Sequence, residues 1–285
     1  MSDYRKMTDD ALLGLLRTEG DRLPRQIVDE IARRNGIAAR LGAIVADPYN
    51  WNEPLPAWWV VVHAVYILGA IGSADTVQPL LRALRYAEAC ENDWVSEDLP
   101  SIFGAVGAPA MDGLRKIAAD RTTGWYARSI ALEGLAAITL KHPDLESGVF
   151  ELLRGYLRNE EEERMVRQAA GHVLLDFLRQ ECRDDLLSFG REDRQGLHLE
   201  GAYKPGFTDD DVQREFARGT RSLERYTGDW LLFYEATEIA GRRERWEEDR
   251  REHADTPEHA PSYELCPFAE GKKRKKCCLG KAGLA

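Results

Sequence analysis

The sequence predicts an all-α protein built from helix pairs, with a short basic tail of different character at its C-terminal end. Three observations lead there. Apolar residues recur at steps of three and four along most of the first 190 positions, the spacing that lines one helix face. Clusters of Gly, Pro, Ser and Thr fall between those stretches, where helices should end. Alternating Val/Ile/Thr runs joined by hairpin turns are lacking, so a sheet has no support.

The longest apolar stretch, Ala57 to Ile71, contains His63 and is shorter than the roughly 18 residues that a membrane span requires. A buried helix is expected there. Further on, Arg128, Ala131, Leu135 and Ile138 match Arg167, Ala170, Leu174 and Phe177, every pair 39 positions apart. Val61, Ala64, Leu68 and Ile71 repeat the apolar part of this frame. A small residue at the point of closest approach, flanked by Leu or Ile, is what tight helix stacking needs. Thr76–Leu84, with Pro79 in its first turn, Ala110–Ala119 and Val149–Leu157 are the intervening amphipathic helices. Breaks are expected at Gly72-Ser73, Gly107-Ala108-Pro109, Thr122-Thr123-Gly124 and His142-Pro143-Asp144. Beyond Gly190 the pattern weakens. Gly196 to Gly206 has loop composition, Thr208 is placed to cap a helix, and a longer helix is expected from about Ser222. That helix carries Trp230, Leu231, Phe233 and Tyr234 and continues into the charged, solvated run Arg242–Glu252. The division expected is a repeat body over 1–190, a helical cap and charged helix over 191–255, and a linker and tail over 256–285.

Helix pairs at a period near 40, with the shared Arg–Ala–Leu frame at Arg128 and Arg167, resemble HEAT repeats and imply an α-solenoid of helical hairpins. The stretches Ser96–Ile102, Trp125–Leu135 and Phe207–Phe216 are also similar to a bacterial family of no assigned activity that joins such a body to a C-terminal SEC-C motif. Arg128 and Arg167 have two readings. They stack the repeats by bonding a neighbouring acid or carbonyl, or they sit on the concave surface ready for a carboxylate or phosphate.

The tail runs Cys266-Pro-Phe-Ala-Glu-Gly271, then Lys272, Lys273, Arg274, Lys275 and Lys276, then Cys277-Cys278. It resembles the SEC-C motif, named for the C-terminus of a preprotein translocase ATPase, which implies one bound zinc. Cys266, Cys277 and Cys278 fall on three of the four ligand positions, and Phe268 stands where the fourth belongs. A structural zinc wants four protein ligands. His259 or His253 could complete the set, water could complete a three-thiolate site, or the motif could persist as a basic peptide without metal. A fourth alternative is redox sensing, with Cys266 pairing with Cys277 or Cys278. The resemblance also implies that the basic run engages an acidic chaperone or the ribosome.

Charge separates tail from body. Residues 266–281 carry six basic residues against the single acid Glu270, a balance of +5, which leaves −15 of the −10 total to the rest of the chain. An acidic body disfavours nucleic acid. Five cysteines, three of them in the tail, make no disulfide framework, so a reducing, cytoplasmic setting is expected. No apolar h-region follows the first residues.

Three common catalytic patterns are lacking. There is no His-Glu-x-x-His pair, no Gly-x-Ser-x-Gly elbow and no phosphate loop ahead of Gly280-Lys281. Glu160–Glu163 has the composition of a solvated helix boundary, while Cys90, Cys182, His63 and His172 suit structural positions. Trp51, Trp58 and Trp59 are either an interface or filler between helices. A non-catalytic interaction scaffold is the leading expectation. The alternative is an enzyme or enzyme subunit, because HEAT-like folds include bilin lyase subunits and DNA alkyl-base glycosylases.

Overall fold

The computed structural model describes residues 4–196 and 206–252. Fourteen α-helices and several 3-10 turns, and no strand, occur among the described residues. None of these helices is long and apolar enough to cross a membrane. The described residues divide into two compact units, one of residues 4–95 with 229–252 and one of residues 96–196 with 206–228.

The first unit contains α1 (Asp9–Thr18), α2 (Arg25–Ala32), α3 (Ile37–Ala46), α4 (Trp59–Ile71) and α5 (Val77–Ala89). α4 is central, with α1, α2, α3 and α5 packed against it. Every residue from Trp59 to Gly69 is buried, which explains why this helix is apolar all round. It stops at Gly72, which adopts the left-handed conformation and donates its N–H to the Leu68 carbonyl at 3.1 Å. Trp51, Trp58 and Trp59 are all buried, so they fill the core.

The boundary between the units falls in the first turn of α6 (Asp93–Val106). The second unit continues with α7 (Met111–Ala119), α8 (Trp125–Thr139), α9 (Glu146–Arg158), α10 (Arg164–Asp176), α11 (Arg183–Gly196), α12 (Asp209–Arg218) and the single turn α13 (Glu224–Thr227). α8 packs on α7, α9, α10 and α13. Thr208 caps α12 through a reciprocal bond with Asp211, satisfying two donors that a helix start would otherwise leave orphaned.

One connection recurs. A helix ends, a 3-10 turn follows, and a second helix begins, with a backbone bond from the third residue of the turn to the residue before it. The pairs are Thr76 to Ser73, Ala110 to Gly107, Leu145 to His142 and Cys182 to Arg179, all at 2.9–3.0 Å. The first belongs to the first unit and the other three to the second.

Two expectations are corrected. The helix expected from about Ser222 is broken twice, into α13, a 3-10 turn at Trp230–Tyr234, and α14 (Ala236–Glu252), which belongs with the 3-10 turn to the first unit. Asp229 accepts the Leu231 N–H at 3.0 Å and starts the 3-10 turn there, so the helix cannot run through. The Arg242 face of α14 is not solvated: Arg242 is buried, donating to the carbonyls of Phe233 and Asp21, with its guanidinium 3.7 Å from the centre of the Phe233 ring.

Candidate functional site

Arg128 and Arg167 occupy equivalent places. Nε of Arg128 donates to the Ala118 carbonyl at 2.8 Å, and Nε of Arg167 to the Leu157 carbonyl at 3.0 Å. Each acceptor lies ten residues earlier, in the last turn of the preceding helix, α7 or α9. Carbonyls there lack an intrahelical partner and carry the negative end of the helix dipole, so a cation is favoured. The terminal nitrogens then reach onward. Arg128 grips both oxygens of Glu162 at 2.9 and 2.7 Å, and Arg167 meets Glu192 at 3.2 Å while lying over the Phe189 ring. The Arg128 pair is 1% and 5% exposed. Glu162 is therefore buried, which corrects the expectation of a solvated boundary for that residue, while Glu160, Glu161 and Glu163 are exposed as expected. The guanidinium bond holds its carboxyl below the usual range.

The same register builds a cleft of about 300 Å³ in the second unit. Tyr126, Ser129, Ile130 and Glu133 of α8 line it together with Met165, Gln168, Ala169 and His172 of α10, four pairs of positions each 39 apart. Trp125 stands at one end, 38% exposed, with its ring against Tyr126. At the other end lie Asp176 and, from α13, Arg225 and Tyr226. Arg225 donates to Glu133 at 2.8 Å, and the Tyr226 hydroxyl donates to Asp176 at 2.7 Å. Burial pushes the Asp176 carboxyl up to about 6, against the opposing pull of Tyr226 and Arg225. Burial likewise raises Glu133, with Asp176 adding repulsion. Perturbed carboxylates in a cleft make this the candidate site of the second unit.

In the first unit, His63 is fully buried at the middle of α4. Its Nε2 lies 2.9 Å from the Gly20 carbonyl and its Nδ1 lies 3.0 Å from the Tyr234 hydroxyl. A carbonyl can only accept, so Nε2 carries the proton and Nδ1 accepts from Tyr234. Burial, reinforced by nearby Arg242, lowers this imidazole to about 4. The histidine is thus a neutral core residue, packed against Trp59, Phe233 and Tyr234. A second cleft, of about 650 Å³, is bounded by Gly20, Leu55, Pro56, Trp59, Arg243 and Trp246.

The remaining expected site residues, Cys266, Cys277, Cys278 and His259 for metal and Lys272, Lys273, Arg274, Lys275 and Lys276 for a partner, lie outside the described residues. Cys182 is a buried thiol outside any disulfide. Sequence reasoning passed over Glu133, Asp176, Arg225 and Tyr226. The only available signal was that polar residues fill equivalent positions beside the Arg–Ala–Leu frame of both helices.

No protein-family model, curated protein or solved structure matches the chain.

Proposed function

We propose that this protein is a non-catalytic interaction scaffold whose helical body is HEAT-like and whose basic, SEC-C-like tail engages a second partner. The observation that carries this reading is the register of Arg128 and Arg167. Each residue ties its helix back to the end of the preceding helix and forward to an acid further along the chain. Repeated hairpins joined in that way depend on nearest-neighbour contacts, which is how solenoid scaffolds are held. The cleft then falls between equivalent faces of successive hairpins, where such scaffolds hold their partners. The tail adds zinc on Cys266, Cys277 and Cys278, with His259 as the fourth ligand, and presents Lys272–Lys276 to an acidic protein such as a chaperone or to the ribosome.

Affinity capture with the full chain and with a chain lacking residues 256–285 tests the scaffold. One partner should survive the deletion and another should be lost. Recovery of no specific protein by either chain counts against the reading. Metal analysis of reduced protein, with Cys277→Ala as the control, tests the tail; less than about one-tenth equivalent of zinc removes the metal site.

A second reading, an enzyme or enzyme subunit, is favoured by one observation. Asp176, raised to about 6, lies in the cleft with His172, and a carboxyl of that kind is suited to proton transfer near neutral pH. Turnover of a small molecule that is abolished by Asp176→Asn would support it.

A further inference from the structure

The cleft between α8 and α10 has an uneven balance of charge and of hydrogen-bonding capacity. Glu133 uses Oε2 to accept from Arg225, and Asp176 uses Oδ2 to accept from Tyr226. Among the described residues, Oε1 of Glu133 and Oδ1 of Asp176 accept no hydrogen bond. The charged and titratable groups acting on Asp176 are Arg225, Tyr226 and Glu224 around α13, Glu215 on α12 and Glu133 on α8, with His172 of α10 in the same cleft. Arg225 is the one guanidinium among them and is bound to Glu133, while Glu215 is itself paired with Arg218 at 2.6 Å. Negative charge is therefore in surplus where solvent is restricted, and two acceptor oxygens remain uncommitted.

The opposite end is aromatic. The exposed Trp125 ring and Tyr126 offer a π face, and Ile130 and Ala169 give an apolar floor between that face and the carboxylates. An apolar stem with a cationic head matches this order, because the stem covers apolar surface while the head meets the acids. At about 300 Å³ the cleft is at the small end of the range for ligand sites, a size suited to one side chain.

We infer that this cleft receives the cationic side chain of a partner protein, a lysine ammonium in preference to an arginine guanidinium. The inference rests on the scaffold reading and gives its partner a chemistry. Lysine is preferred because an arginine binds best to both oxygens of one carboxylate, and here each carboxylate has one oxygen already engaged. An ammonium takes single acceptors from two different carboxylates without loss. Its arrival reverses the effect of burial on Asp176, so binding is coupled to release of a proton and strengthens as the pH rises through about 6.

The test uses the full chain, isotopically labelled, with the Trp125 indole N–H signal assigned through Trp125→Phe. Capped Gly-Lys-Gly, Gly-Arg-Gly and Gly-norleucine-Gly peptides are titrated in turn. The lysine peptide should shift that signal saturably, the arginine peptide more weakly, and the norleucine peptide not at all. Asp176→Asn should weaken lysine binding about tenfold or more, the size expected for one charge-assisted hydrogen bond. In Tyr226→Phe, which keeps the ring but removes the donor that stabilises the carboxylate, the pH midpoint of binding should move upward. Equal shifts from the norleucine peptide would overturn the inference, as would unchanged lysine binding in Asp176→Asn. If Asp176→Asn does not fold, an unmoved midpoint in Tyr226→Phe overturns it instead. The two proposals fail separately. Lysine binding with no protein captured removes the scaffold and keeps the cation site. A partner captured equally well by the wild type and by Asp176→Asn removes the cation site and keeps the scaffold.

Discussion

Arg128 and Glu162 meet through two nitrogens and two oxygens, at 2.9 and 2.7 Å, with both side chains almost wholly removed from water. Arg128 sits on α8, whereas Glu162 lies in the turn that leads into α10. One bidentate contact therefore ties two consecutive hairpins of the second unit. Desolvating both charges is costly, and their attraction with good geometry offsets that cost only while both are present.

Removing one partner should thus be worse than removing both. Arg128→Met or Glu162→Leu alone should cost about 3–5 kcal/mol, because each strands a buried charge. The double variant should recover much of that loss, and a denaturant titration of the four proteins would show it. Additive losses would mean that the pair contributes no mutual stabilisation.

The pair also sets a pH dependence. Arg128 depresses the folded-state Glu162 carboxyl below its ordinary value, so the contribution is complete above that value and is lost as the pH falls through the folded one. Glu162→Gln should flatten the acid limb of the stability curve. An acid limb as steep as that of the wild type would place the titrating group elsewhere.

The helical frame was legible because it is periodic. Arg128, Ala131, Leu135 and Ile138 mark one buried face, and α4 shows itself by being apolar throughout. The burial of Glu162 left no such trace. It sits in an acidic run, and only a partner 34 residues earlier makes it a core residue. Nor could periodicity place Tyr226 on Asp176, fifty residues away, or Phe233 and Tyr234 beside His63. The cleft is assembled by contacts of that kind, so its carboxylates stayed invisible while its helices did not.

His63 should make the first unit sensitive to mild acid. Its imidazole titrates at about 4 in the folded chain, against 6.5 for an unperturbed histidine. The unfolded chain therefore takes up a proton first as the pH drops. The stability linked to the neutral ring is complete above about 6.5 and declines between about 6.5 and 4. The total loss is on the order of 3 kcal/mol for a shift of this size. His63→Gln should lower stability at pH 7 but remove this slope. A wild-type curve that is flat from pH 7 to pH 4.5 would contradict the assignment.

Two glycines should respond to alanine in opposite senses. Gly107 opens a 3-10 turn at φ 78° and ψ −150°, a conformation that is almost closed to other residues. A Cβ there would come within 2.6 Å of Nε2 of His142, the residue at the equivalent place in the next turn. Gly107→Ala should cost about 1–3 kcal/mol from the backbone alone, with the collision adding to it. Gly155 lies inside α9, and a Cβ built on it meets nothing within 4 Å. Gly155→Ala should stabilise by about 0.5–1 kcal/mol, because alanine loses less chain entropy in a helix. Thermal unfolding of both variants would decide the matter. Destabilisation by Gly155→Ala would mean that this face of α9 is covered in the folded protein.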